Sequence, residues 1–366
     1  MPSPKNAHKI PKEIMQQLPA FEKVHMEFEQ RLTNIEQQLQ HLPHLEKIAS
    51  FGKKIDLTRS GDFFMFMHED DQAYLGTSKE LRHLHNSLSL SQIADEAKRV
   101  SESPMRRYLH HYDPVAAALR AISLNSEPVN LIYVGVNYGF HLFQLADWIR
   151  KTQLNCKTYA FDCGIAGTLT PKNIRLNNFT TQIEFYDFAL SSRDSMSVLH
   201  QIIGHSEDNK IVNDDTAAEL RLSCVVETRS LDSFTSEKCI SGNTVIVLDT
   251  QGNEPEITSG AQNFMKDNSC VLFSEFIPWA IGARMLAQDY IRWLLKLGEV
   301  YDLHPIHGGY SYDKPRTSPL GLLGERVTEE SADKFAEKIH RDPPNWTDVV
   351  VIPRDGPASF ALQAMT

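Results

Sequence analysis

Residues 131–140 read Leu-Ile-Tyr-Val-Gly-Val-Asn-Tyr-Gly-Phe, an apolar run that enters a loop bounded by Gly135 and Gly139. The run is typical of a buried strand, and a helical pattern follows at 142–152. Glycines at such a turn let backbone amides approach a ligand closely, at the positive end of the following helix. The spacing is Gly-x-x-x-Gly, without the third glycine of a dinucleotide fold or the Lys-Ser/Thr of a P-loop. The stretch predicts a strand–loop–helix unit that binds a ligand, although a purely structural turn can have the same spacing.

Short strands and helices alternate after Pro128. The strand-like runs are 129–134, 157–161, 183–188, 224–228, 245–248, 271–275, 299–303 and 348–352. The helical segments are 142–152, 253–265 and 283–297. This alternation predicts an α/β fold, a mostly parallel sheet with helices on both faces. Its ligand is expected beyond the carboxyl ends of the strands.

Carboxylates follow several of these strands. Asp162 ends the second strand, ~20 residues after the glycine loop, where a nucleoside ligand places its ribose hydroxyls. Asp249 follows the apolar run 244–248, and Glu275 ends the run after it. A carboxylate at such a position can orient a substrate hydroxyl, accept its proton or hold a cofactor amine. Asp162 and Asp249 could instead cap the helices that follow them.

The chain before Pro128 has a different texture. Between residues 14 and 42, apolar residues recur in alternating steps of three and four, which predicts a short coiled coil within 1–50. That helix could join chains into a homo-oligomer or lie on its own domain. Residues 51–125 are predicted to be a helical accessory region, with a short strand or buried helix turn at 62–67 and a helix opened by Asp113-Pro114. The main domain is predicted at 126–355 and a tail at 356–366.

Composition excludes several classes of partner. Lys and Arg total 37 against 47 Asp and Glu, so the formal net charge is −10. This balance disfavours nucleic acids and anionic membrane surfaces. No apolar run approaches the ~20 residues of a membrane span, and no signal-type stretch opens the chain. The five cysteines show no Cys-x-x-Cys spacing, which supports neither a disulfide framework nor a zinc site. A cytoplasmic protein is expected.

Several motifs together resemble the FkbM-type S-adenosylmethionine-dependent methyltransferases. Tyr133–Gly139 is similar to the family's Asp-x-Gly-Ala-Asn-x-Gly, and 247–254 is similar to its Lys-x-Asp-x-Glu-Gly-x-Glu. Three further matches, in the family's order, are 160–162 with the Asn-rich 173–177, then Ala-Leu-Ser at 189–191, then Leu-Asp-Ser-Phe at 231–234. The resemblance covers about residues 130–305.

The resemblance implies a Rossmann-like class I methyltransferase domain with S-adenosyl-L-methionine as cofactor. The residues it assigns to the cofactor are Tyr133, Gly135, Asn137, Gly139, Asp162 and, beside the adenine ring, Asp187. It implies O-methylation of a small-molecule or glycan acceptor in glycan or natural-product biosynthesis. Asp249 is the first candidate for accepting the acceptor's proton and His307 the second. Gln251, Glu254 and Glu275 would shape the substrate site.

Two departures from the family pattern leave a second interpretation open. Tyr133 stands where the family usually has Asp, and Gln251 where it usually has Glu. The chain could therefore be a catalytically inactive methyltransferase-fold scaffold that assembles through residues 14–42. A nicotinamide-linked dehydrogenase is disfavoured by the missing third glycine.

Two further features near the strand ends are ambiguous. Asp249, Glu254 and Glu275 could hold a divalent metal, but no spacing demands one, and we predict none. Trp279 and Tyr310 could stack on a sugar, although bulky aromatic residues near strand ends are more often part of the core.

Overall fold

The computed structural model describes residues 55–60, 63–68, 113–123, 128–202, 209–212, 221–303, 323–341 and 345–361. The predicted coiled coil at 14–42, and with it the predicted oligomer contact, lies outside these residues. Within them, no helix is both long and apolar enough to cross a membrane.

The described residues form fourteen strands and nine α-helices. The strands are β1 Ile55–Ser60, β2 Phe63–His68, β3 Val129–Val134, β4 Cys156–Asp162, β5 Ile183–Asp187, β6 Ala189–Leu190, β7 Ser195–Ile202, β8 Lys210–Val212, β9 Arg221–Arg229, β10 Thr244–Leu248, β11 Cys270–Phe276, β12 Glu299–Asp302, β13 Arg326–Val327 and β14 Thr347–Ile352. The helices are α1 Asp113–Ile122, α2 Phe140–Thr152, α3 Gly164–Leu176, α4 Leu231–Glu237, α5 Glu254–Ser259, α6 Gln262–Asp267, α7 Pro278–Ile281, α8 Ala287–Leu297 and α9 Ala332–Arg341.

The main sheet has eight strands in the order β13-β12-β14-β11-β10-β3-β4-β5. Its five strands from β11 to β5 are parallel, which confirms the predicted α/β class with a mostly parallel sheet. From the β5 edge they are the third, second, first, fourth and fifth strands along the chain, so the order reverses between β3 and β10. Doubly wound sheets bind ligands at the carboxyl side of such a switch point. Strand β14 lies antiparallel between β11 and β12.

The core explains why these strands could be read from the sequence. All residues of β3 and β10 are buried, as expected for central parallel strands covered on both faces. Helix α9, which the sequence reading missed, buries one stripe against this core: Ala332, Phe335, Ala336 and Ile339. Their spacing is that of an amphipathic helix.

A second sheet, in the order β6-β9-β7-β8, lies between β5 and β10 along the chain. The run predicted at 224–228 is strand β9, so it belongs here and not to the main sheet. Its side chains alternate, with Val226 and Thr228 buried and Val225 and Glu227 exposed, as in an antiparallel sheet with one solvated face. The buried face packs Leu199 and Ile211 with Cys163, the residue before α3.

Residues 55–60 and 63–68 form two paired strands within the region predicted to be helical. Strands β1 and β2 pair antiparallel, and Met65 and Met67 are buried at alternate positions, so the run at 62–67 is a strand and not a helix turn. Phe63 packs on the rings of Phe143 and Phe179, with centroids 6.0 and 5.9 Å away. The helix predicted at Asp113-Pro114 is α1.

The helix predicted at 253–265 is divided into α5 and α6. Gly260 lies at the division, where a Cβ atom would meet the carbonyl oxygen of Ser191 at 2.2 Å. The close passage of that backbone leaves room only for glycine at this position.

Candidate functional site

The loop after β3 has an unusual backbone. Gly135, Asn137 and Gly139 all have positive φ, at 80°, 49° and 98°. Glycine takes this left-handed conformation without strain, and asparagine tolerates it better than most residues. A Cβ atom on Gly139 would also lie 2.5 Å from the Phe143 ring. The two glycines are therefore required by conformation and by space.

Helix α3 and the end of β4 hold this glycine loop. The Asn137 amide donates to Asp162 Oδ2 at 2.6 Å. The Thr170 hydroxyl donates to the carbonyl oxygen of Asn137, and Asn173 Nδ2 donates to that of Tyr138 at 3.0 Å. The loop conformation thus depends on three polar side chains that follow it in the sequence.

Asp162 connects two neighbouring loops. Its Oδ1 accepts a hydrogen bond from the Cys163 amide at 2.7 Å while Oδ2 binds the glycine loop. Cys163, and not Asp162, is the N-cap residue of α3. Burial raises the pKa of Asp162 to about 7, against the two amide bonds that lower it, and the charges of Asp187 and Asp249 raise it further.

Asp187 lies directly opposite Asp162 in the sheet, at the end of β5. Its carboxylate packs over Gly167 of α3, where a Cβ atom would meet Oδ1 at 2.1 Å. Partial burial there raises the pKa of Asp187. Two carboxylates thus lie at the ends of β4 and β5, on the same side of the glycine loop.

A second group of carboxylates follows β10 and β11. Gln251 Nε2 donates to Glu275 Oε2 at 2.9 Å and to Asp249 Oδ1 at 3.3 Å. Asp249 and Glu275 thus accept hydrogen bonds from the same side-chain nitrogen. Burial raises the pKa of Asp249 to about 6, with a contribution from the charge of Asp348, and raises that of Glu275 well above its usual range.

Glu254, the first residue of α5, is fully buried behind this group. Its Oε1 accepts hydrogen bonds from the amide of Thr250 at 2.7 Å and from its hydroxyl at 2.9 Å. No described residue donates to its Oε2. Burial raises the pKa of Glu254 to about 7, although the bonds to Thr250 lower it.

The structure brings most of the predicted site residues to one edge of the sheet. Those at the carboxyl ends of the five parallel strands, or in the loops that follow, are Tyr133, Gly135, Asn137, Gly139, Asp162, Asp187, Asp249, Gln251, Glu254 and Glu275. Tyr133 is buried within β3. His307 and Tyr310 lie outside the described residues. Trp279 is 53% exposed, so it is not a core residue.

The sequence reading missed four residues that support this edge: Thr170, Asn173, Gln201 and Asp348. Gln201, on β7, accepts a hydrogen bond from the Ile165 amide in the first turn of α3 at 2.8 Å. Asp348 lies opposite Glu275, across the antiparallel pairing of β11 and β14. Only Asn173 belonged to a recognised motif, the Asn-rich segment 173–177.

Among the described residues, no three His, Cys, Asp or Glu side chains are arranged to hold a metal ion.

Comparison with known proteins gives distant likenesses only. No family model matches the chain. No curated protein sequence matches it either.

Three solved structures show a distant likeness in fold. The plantazolicin methyltransferase BpumL in complex with SAH is 11% identical, with a TM-score of 0.30 over 72% of this chain and 90% of that one. The plantazolicin methyltransferase BamL, in complex with a triazolic desmethylPZN analog and SAH, is 8% identical, with a TM-score of 0.33 over 76% and 93%. An O-methyltransferase family protein from Burkholderia thailandensis is 12% identical, with a TM-score of 0.28 over 85% and 83%. At these identities and TM-scores the likenesses assign neither a family nor an activity to this chain.

Proposed function

We propose that this chain is an S-adenosylmethionine-dependent methyltransferase that methylates a hydroxyl group of a small-molecule or saccharide acceptor. The observation that carries the proposal is the arrangement around Asp162. This carboxylate fixes a left-handed glycine loop at the switch point of a doubly wound sheet, with a second carboxylate, Asp187, beside it. Such an edge offers acidic side chains to the ribose hydroxyls of a nucleoside.

The residues present fit this cofactor in shape and charge. Backbone of Asp249 crowds Gly135 and the Phe143 ring crowds Gly139, so the loop can carry no larger side chain at either position. Asp162 and Asp187 can accept hydrogen bonds from ribose hydroxyls. The carboxylates along the edge favour a ligand with a positive sulfonium and an ammonium group. Tyr133 supplies no carboxylate where the family resemblance expects one, so the ammonium group would depend on the other acids.

The proposed chemistry divides the work between the two carboxylate groups. S-Adenosylmethionine, when bound, supplies a methyl group attached to positively charged sulfur. The glycine loop, Asp162 and Asp187 would bind and orient the nucleoside, because alignment is the main requirement of an in-line displacement. Asp249 would accept the proton of the acceptor hydroxyl, and its pKa of about 6 is close to the value that suits a base near neutral pH.

Calorimetric titration tests the proposal directly. We expect the wild-type protein to bind S-adenosylmethionine and its demethylated product with micromolar affinity and not to bind NAD. Asp187→Asn should weaken this binding about tenfold, or ~1.4 kcal/mol. Asp187 is the better choice than Asp162, whose carboxylate also holds the glycine loop.

Asp194→Asn is the matched control. Asp194 accepts hydrogen bonds from Ser230 and Ser233, at the start of α4. The Asp194→Asn variant should bind S-adenosylmethionine as tightly as the wild-type protein does. Failure of the folded wild-type protein to bind either compound would contradict the proposed function.

The alternative is an inactive scaffold, and the burial of Tyr133 within β3 is the observation that favours it. A scaffold should keep its function in Asp162→Ala and lose it when Leu32 and Leu39 become polar. An active methyltransferase should show the opposite sensitivity. Sedimentation of both variants, together with the calorimetry, separates the two interpretations.

A further inference from the structure

Gln251 makes contacts that a glutamate could not make. Its side-chain amide has two N–H groups, and it donates to both Asp249 and Glu275. A carboxylate at this position, which the family resemblance expects, has no hydrogen to donate when ionised. The replacement therefore joins two carboxyl groups where a third acid would repel both.

Asp249 and Glu275 accept hydrogen bonds from one and the same nitrogen, Gln251 Nε2, so their carboxyl groups lie close together. Two ionised carboxylates can only accept hydrogen bonds, so neither can relieve the charge of the other without a proton. Like charges this close cannot both ionise easily, and the two groups titrate as a pair and not as separate acids.

Glu254 is a third buried acid whose charge acts on the pair. It is fully buried, and its Oε2 accepts no hydrogen bond from a described residue. Its charge raises the pKa of Glu275, and the charge of Asp249 raises that of Glu254. The charge of Glu254 opposes ionisation of Glu275, which favours retention of the shared proton.

Other titratable groups also act on this region. The charge of Asp348 on β14 raises the pKa of both members of the pair. The charge of Asp249 raises the pKa of Asp162 on β4. Burial lowers the pKa of Arg284 against the charge of Glu254, whereas burial and that charge both raise the pKa of Tyr290. Arg284 donates to the carbonyl oxygens of Gly252 and Ile211. The acids next to the pair therefore reinforce one another.

We propose that Asp249 and Glu275 act as one proton-sharing pair that takes the proton of the methyl acceptor, with Gln251 as the residue that positions the pair. This inference rests on the proposed function. The acceptor's O–H proton passes to the ionised oxygen of the pair as its oxygen bonds to the methyl carbon. The bond from that carbon to sulfur breaks, and its electron pair goes to sulfur. The proton then leaves the pair for solvent, and the pair regains its single negative charge.

Infrared spectroscopy of the ligand-free, full-length protein tests the pairing. In wild-type protein, a protonated-carboxyl band of the pair should persist near pH 6. Asp249→Asn and Glu275→Gln should each remove that same band, and Gln251→Glu should shift its titration midpoint. Glu227→Gln, on the exposed face of β9, and Gln262→Glu, an exposed residue of α6, are the matched controls and should change nothing. Bands with separate midpoints, each lost in only one variant, would overturn the pair.

Calorimetry in buffers of different ionisation heat supplies a second readout. Binding of the positively charged S-adenosylmethionine should release more protons than binding of its uncharged-sulfur product, and Glu275→Gln should abolish the difference. If one variant fails to fold, the other member of the pair reports the same proton. Intact binding with the same proton release in all variants would overturn the pair alone. No binding at all would overturn the proposed function and, with it, the catalytic role of the pair.

Discussion

The carbonyl oxygen of Asp249 occupies the place where a side chain on Gly135 would begin. A Cβ atom built on Gly135 would lie 1.7 Å from that oxygen. The Asp249 amide also donates to the carbonyl oxygen of Val134 at 3.0 Å. The glycine loop and the carboxylate pair, on the two sides of the switch point, are therefore fixed against each other through backbone atoms.

Gly135→Ala should consequently disrupt the site. The clash with backbone leaves no room for relaxation, so we expect a loss of unfolding free energy well above the about 1–2 kcal/mol of left-handed strain alone, and no detectable binding of S-adenosylmethionine. Gly242→Ala is the matched control, because Gly242 also has positive φ but has no atom within 4 Å of the added Cβ. Urea denaturation measures both. Equal costs for the two variants would contradict the assigned close contact.

The buried carboxylates predict an unusual dependence of stability on pH. The pKa of Glu254 is raised from 4.5 to about 7, so the folded state binds the proton more tightly than the unfolded state. Stability from such a group is complete below pH 4.5 and is lost as pH rises through 7, at up to about 1.4 kcal/mol per pH unit. Asp162 and Asp249 act in the same direction.

We therefore expect the unfolding free energy to fall between pH 5 and 7.5, and the fall to be smaller in Glu254→Gln. Glu227→Gln, an exposed strand residue, should keep the wild-type slope. Chemical denaturation at several pH values gives both slopes. If the unfolding free energy of the wild-type protein rose across this range, the buried carboxylates would be ionised in the folded state without loss of stability.

The hydrogen bond from Thr170 to the glycine loop predicts a separation of stability from binding. Thr170→Val removes a buried donor and should cost about 1–3 kcal/mol and weaken S-adenosylmethionine binding about tenfold. Thr235→Val is the matched control, because Thr235 is also buried but donates to Leu231 within its own helix. It should lose stability and keep binding. Equal binding by the two variants would mean that the loop does not need α3.

Gln201 gives a prediction for the second sheet. Gln201→Met keeps the side-chain volume but removes the acceptor for the Ile165 amide, and should cost about 1–3 kcal/mol. Gln182→Met should be neutral or stabilising, since Gln182 Oε1 is buried and accepts no hydrogen bond from a described residue. Thermal unfolding of both variants is the measurement. A neutral Gln201→Met would show that β7 does not anchor α3.

The sequence predicted the features that depend on local pattern. The apolar runs of β3 and β10 are continuous because both faces of these strands are covered, and the glycines of the loop are visible in the printed sequence. The features it missed depend on partners distant in the chain. No pattern in the neighbouring sequence indicates the role of Gln201. Its partner, the Ile165 amide, contacts it only because the second sheet brings the two residues together. The Phe-Phe-Met-Phe-Met run at 63–67 suits a strand or a buried helix turn equally, and only its pairing with β1 decides. Gln251 can donate to both Asp249 and Glu275 only because β10 and β11 are neighbours in the sheet, which the sequence alone does not show.

Strand β14 differs from the five parallel strands in which of its ends lies at the edge that carries the candidate site. Because β14 runs against β11, it presents its first residues, Thr347 and Asp348, to the edge where its parallel neighbours present their last. Substitutions at the entrance to β14 should then alter acceptor choice, whereas those at its exit, from 353 onward, lie at the opposite edge of the sheet. If the proposed methyltransferase activity is correct, Thr347 and Asp348 are the first positions at which to alter acceptor choice, since Asp348 lies opposite Glu275 and neither residue belongs to the glycine loop.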